Sequence, residues 1–170
     1  MLTSPPAWVL ALTYWLHLLA TVTWVGSLAG ISFLVLPAMQ RSLNSETQLI
    51  FLEALQKRLE PIAWFSMSLL VLTGLLQMSV NPHYDGFISV STQWSLAILI
   101  KHLLGIVMVV VSAIQTWEVI PAIRRAILKS KKTANAEELN ALRGREVLLL
   151  RMNFGLSILI LLATAFARAS

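Results

Sequence analysis

Residues 94–120 read WSLAILIKHLLGIVMVVVSAIQTWEVI, a run long enough to cross a hydrocarbon core of about 30 Å as one helix. Its interior carries one adjacent pair of ionisable residues, Lys101 and His102. Three further runs of the same character lie at about 7–37, 62–80 and 147–167, and the first of them contains His17. The chain is therefore read as all-α, a single polytopic domain over 1–170 with a bundle of four transmembrane helices. Two repeated helical hairpins are one way to build it.

Composition agrees with that class. Of 170 residues, 57% are hydrophobic and 12% charged, and the mean hydropathy is +0.75, well above that of a soluble domain. Little chain is left for a separate soluble domain. The first run lacks a basic leader and a small-residue cleavage site, so the N-terminus reads as mature rather than as a signal peptide. Cysteine is absent, which excludes disulfides, thiolate metal sites, iron–sulfur clusters and thioether-linked haem. A net charge of +5 would suggest nucleic acid in a soluble chain. Here the basic residues cluster beside helix ends, so their use is topological and no nucleic-acid partner is expected.

The loops give the orientation. Arg41, Lys57 and Arg58 fall in the loop 38–61, and Arg124, Arg125, Lys129, Lys131, Lys132, Arg143 and Arg145 in the loop 121–146, while NPHYDGFISVSTQ and the N-terminal MLTSPP have no Lys or Arg. The positive-inside rule places 38–61 and 121–146 in the cytoplasm and both termini outside. Trp8 and Trp94 then mark the outer interface, Trp64 and Trp117 the inner one. Within the first loop, Ser45 is a candidate N-cap for SETQLIFLEALQKRLE, whose Leu49, Leu52, Leu55 and Leu59 recur at helical spacing. That stretch either lies in the interface, extends a neighbouring helix or is a solvated connector.

A weak repeat links the first and third helices: LVLPAMQRS matches VIPAIRRA, and twenty residues before Pro37 and Pro121 stand His17 and Lys101. Counting from Trp8 and Trp94, His17 and His102 lie roughly 12–14 Å below the outer interface at about 1.5 Å per residue. At that shared depth they can face each other. Thr13 and Thr21 sit one turn either side of His17, Ser66, Thr73 and Gln77 share a face of the second helix, and Asn153, Ser157 and Thr164 a face of the fourth. Ionisable groups inside a bilayer are functional suspects by default. Against this stand plainer readings: Lys101 snorkelling to the surface, a membrane histidine acting only as an interhelical hydrogen-bond donor, Gly26 and Gly30 as a packing motif, and the methionines as core fillers. His83, with Tyr84 and Asp85, is either a captor of an outer metal ion or a solvated loop residue. Glu118 is expected to pair with Arg124 or Arg151.

The segments YWLHLLATVTWVGSLAGISFLVLPAMQRS, KRLEPIAWFSMSLLVLTGLLQ, WSLAILIKHLLGIVMVVVSA and RMNFGLSILILLATAFA together resemble the copper resistance D (CopD) type of bacterial inner-membrane domain. That resemblance implies copper handling or transport, a plasma-membrane location and a periplasmic copper-binding partner. The chain is also similar to the membrane protoporphyrinogen oxidase (HemJ) family, in which a first-helix histidine and a third-helix lysine matter; the matching positions are His17 and Lys101. Three readings remain open. In the first, His17 and His102 are metal ligands that bind copper transiently between helices, with Lys101 in the same polar site. In the second, one or both of His17 and His102 ligate a b-type haem, Lys101 neutralises a propionate or a porphyrin carboxylate, and the chain works in electron transfer or protoporphyrinogen oxidase-like chemistry. In the third, the chain is a scaffolding subunit of a larger membrane complex. A homo-oligomer is compatible with each.

Overall fold

The computed structural model describes residues 5–43, 45–130 and 136–169, and its elements are all helical. Helix α1 (Ala7–Ala29) starts directly after Pro5 and Pro6, with the Val9 N–H donating to the Pro6 carbonyl at 2.9 Å. It runs through a π-helical turn, Gly30–Val35, into α2 (Leu36–Ser42). Helix α3 spans Ser45–Ser79, α4 Gln93–Ile114, and a second π-helical turn, Gln115–Val119, leads into α5 (Ile120–Ser130). Helix α6 is Ala136–Ala169.

Four stretches are long and apolar enough to cross a membrane, Ala7–Met39, Ile50–Ser79, Gln93–Ile127 and Glu137–Ala169. The burial pattern is that of a membrane protein. Large apolar side chains such as Leu34, 70% exposed, and Phe65, 70%, face outward, whereas Asn153 is 1% exposed and Thr73 4%. In water this arrangement would forfeit most of the hydrophobic stabilisation; in lipid the apolar surface is solvated and polar side chains turn to one another. The protein is a multi-pass membrane protein.

Both π-helical turns have a proline as their cause. Pro37 and Pro121 have no N–H and clash with the carbonyl one turn earlier. In each case the residue just before the proline shifts its hydrogen bond to the carbonyl five positions back: Leu36 N–H to Ile31 O, and Ile120 N–H to Gln115 O. The wider turn carries the helix past the proline without a break. The LVLPAMQRS and VIPAIRRA match thus corresponds to the same backbone device used twice.

The stretches read as loops at 38–61 and 121–146 are largely helical. Residues 45–61 extend the second membrane helix toward the chain's N-terminus, with Leu52, Leu55 and Leu59 partly covered while Lys57 and Arg58 are exposed. Pro61 sits inside α3. The side chains of Ser45, Leu49 and Lys129, and residues Lys131 and Lys132 altogether, lie outside what is described. Gln48 Nε2 donates to the Leu43 carbonyl at 2.8 Å, a group that the end of α2 leaves open, and at 3.3 Å to the Met39 carbonyl, which also accepts from the Leu43 N–H. At the start of α4, Thr92 and Ser95 form a reciprocal capping box: Ser95 N–H donates to Thr92 Oγ1 at 3.1 Å and Thr92 N–H to Ser95 Oγ at 2.9 Å.

The chain forms two compact units, Met1–Ser95 and Leu96–Ser170. In the first, α1 packs along α3. In the second, α5 lies on α6, with Val119, Ile123 and Leu149 at the centre of an apolar cluster that also takes Val111 of α4. Arg124 and Arg125, on the opposite side of α5, are exposed.

Candidate functional site

In the first unit the polar residues of α1 and α3 meet in two rungs. His17 Nδ1 and Thr73 Oγ1 are hydrogen bonded at 2.7 Å. One turn away, Gln77 Nε2 donates to the Thr13 carbonyl at 3.3 Å. Helices running side by side in opposite directions bring i−4 on one level with i+4 on the other, so Thr13–Gln77 and His17–Thr73 fix one register twice. The stripe is completed by Thr13 Oγ1 donating to Val9 O and Thr21 Oγ1 to His17 O, both at 2.8 Å. Gly74 follows Thr73, and the His17 ring lies over it; a Cβ there would come within 3.5 Å of Cε1, contact without a clash.

Lys101 and His102 belong to the second unit. Both are half-buried. His102 Nδ1 lies 2.7 Å from the carbonyl oxygen of Ile98, one turn back in its own helix. A carbonyl can only accept, so Nδ1 carries the hydrogen and Nε2 the lone pair, the form in which histidine ligates metals. Lys101 makes no hydrogen bond or ion pair among the described residues.

The second unit has a polar cluster of its own. Asn153 Nδ2 donates to Ser112 Oγ at 3.1 Å, Ser112 Oγ to the Met108 carbonyl at 2.8 Å, and Ser157 Oγ to the Asn153 carbonyl at 2.8 Å, with Met108 Sδ 3.7 Å from the same hydroxyl. Asn153 Oδ1 is buried with no hydrogen-bond partner among the described residues. Met108, read as a core filler, touches this cluster. Glu146, 4% exposed, escaped the sequence reading because it fell in a stretch taken as loop. Its signal was the spacing of seven to Asn153, which puts both on one helix face.

Other expectations are corrected or narrowed. Glu118 pairs with Arg145, Nη1 to Oε1 2.9 Å, rather than with Arg124 or Arg151, because helical continuation of α6 carries Arg145 alongside the end of α4. Trp94 is buried, at 7% exposure, and its ring lies 6.2 Å from that of His83. His83 is otherwise engaged with Asn81, whose Oδ1 accepts from its backbone N–H at 2.9 Å. No group of three or more His, Cys, Asp or Glu able to hold a metal ion occurs among the described residues.

The family model described as CopD, copper resistance protein D, matches residues 53–167, about two thirds of the chain. The chain belongs to the CopD family. The matched CopD region contains Thr73, Lys101, His102 and Asn153; His17 lies before it. Comparison with curated proteins and with solved structures gives no match.

Proposed function

We propose that this CopD-family chain handles copper within the membrane, with His17 in the first unit and His102 in the second each taken by itself as a ligand for the ion. The observation that carries this reading is His17, an imidazole inside a membrane-spanning helix, held through Nδ1 by Thr73 on a neighbouring helix. An ionisable ring kept at that depth on a directed hydrogen bond is a functional candidate. Copper(I) favours soft ligands, and with no cysteine the set narrows to imidazole and thioether. Few and neutral ligands hold an ion weakly, which suits passage rather than storage. A bacterial inner-membrane location with both termini outside, and a periplasmic copper-binding partner, go with this reading; its supports are the Lys/Arg distribution and the family.

A second reading is b-type haem. Its support is that His102, with Nδ1 committed to Ile98 O, offers Nε2 in the form an axial ligand needs. Lys101 fits this reading better than the copper one, since an ammonium repels a metal cation and attracts a propionate.

The test is an absorption spectrum of the detergent-purified protein, oxidised and dithionite-reduced, with elemental analysis of iron and copper on the same sample. Stoichiometric copper without a Soret band supports copper handling. A Soret band with sharpened reduced bands supports haem, and a protein with neither supports a scaffolding subunit.

A further inference from the structure

The contact between His17 and Thr73 has a direction. Thr73 Oγ1 lies 2.5 Å from the Leu69 carbonyl oxygen, one turn back in α3, and 2.7 Å from His17 Nδ1. Two oxygen atoms at 2.5 Å repel unless a hydrogen lies between them, and the carbonyl has none to offer. The single hydroxyl hydrogen of Thr73 therefore points to Leu69, the back-bond that threonine commonly makes in helices. Toward His17 the hydroxyl presents a lone pair. The hydrogen in that second bond must come from Nδ1.

We infer that Thr73 is a positioning residue: it holds His17 as the Nδ1–H tautomer, and so selects Nε2 as the nitrogen that meets copper. The metal part of this inference rests on the copper reading; the tautomer part does not. In water a neutral imidazole favours the opposite, Nε2–H form, so the protein has to impose this one. Two features do so. The back-bond to Leu69 fixes the hydroxyl rotor, and the Gln77–Thr13 rung fixes the helix register. His102 reaches the same tautomer by another route, through its own backbone. A side-chain substitution at Thr73 leaves that bond within α4 intact, which makes His102 an internal reference.

The experiment uses the full chain labelled with 15N-histidine in detergent. The His17 signals are assigned by their loss in His17→Gln, and the same preparations are titrated with Cu(I) under reducing conditions. Wild type is expected to show His17 Nδ1 protonated and Nε2 unprotonated. Thr73→Ser keeps that pattern, and Thr73→Val shifts His17 toward Nε2–H without moving His102. Affinity for Cu(I) falls about tenfold or more in Thr73→Val, the range for loss of a group that orients a ligating histidine, and is restored in Thr73→Ser. A wild-type His17 in the Nε2–H form, or a Thr73→Val protein with an unchanged tautomer, overturns the inference. If the tautomers behave as expected and wild type takes up no Cu(I), the positioning role stands and the copper reading falls.

Discussion

His17 Nδ1 and Thr73 Oγ1, 56 positions apart in the chain, are joined at 2.7 Å between α1 and α3. The bond ties an ionisable group to the packing of two membrane helices, so its loss has consequences for binding and for stability that differ in size. Interhelical hydrogen bonds in membranes contribute only about 0.6 kcal/mol on average. A ligand lost from a metal or haem site has a far larger effect.

His17→Ala is accordingly expected to remove bound copper or haem while the protein still elutes as a folded species, with a loss of stability of about 1 kcal/mol. Metal content and thermal unfolding measured on the same detergent preparation check this. Wild-type cofactor content in the variant would remove His17 from the site.

Gly74→Ala places a methyl in contact with the His17 ring rather than inside it. Alanine is the better helix former by up to about 1 kcal/mol, so stability is expected to hold or rise and copper content to stay near wild type. Gly74→Leu, whose longer side chain has to displace the ring, is expected to lose the ligand. The pair separates the need for space from a need for backbone freedom.

Asn153 has one side of its amide satisfied by Ser112 and Oδ1 left without a partner. An unsatisfied buried polar atom costs about 1–3 kcal/mol, so Asn153→Leu is expected to be neutral or stabilising. Ser112→Ala, which strips the remaining bond from a residue 1% exposed, is expected to destabilise by about 1–2 kcal/mol. Unfolding by sodium dodecyl sulfate titration reads both. A strongly destabilised Asn153→Leu would mean that Oδ1 holds something essential.

The Arg145–Glu118 pair is about half exposed on both sides. Pairs of that kind contribute less than about 1 kcal/mol and weaken in salt. Glu118→Gln should leave the unfolding midpoint nearly unchanged, and the small remaining difference should vanish at high ionic strength.

By itself the sequence determined the class. Runs of apolar residues near the length of a bilayer crossing admit one backbone solution, a helix that satisfies its own hydrogen bonds, and Lys101, His102 and His17 stand out because each is expensive there. The prolines at 37 and 121 were legible as a repeat. The π-helical turns were not, since a proline permits a kink, a break or a widened turn and the neighbouring packing chooses among them. The extension of α3 was legible in the helical spacing of SETQLIFLEALQKRLE, as one of three readings of that stretch, whereas that of α6 was hidden, since hydropathy marks where lipid begins rather than where a helix ends. Most of all, the sequence placed His17, Thr73 and Gln77 on polar faces without saying which of them meet. Periodicity gives a face; only the register of α1 against α3 decides that His17 bonds to Thr73, that Gln77 reaches Thr13, and that the imidazole is held through Nδ1. Register is a property of two surfaces packed together, and a single helix carries no information about it.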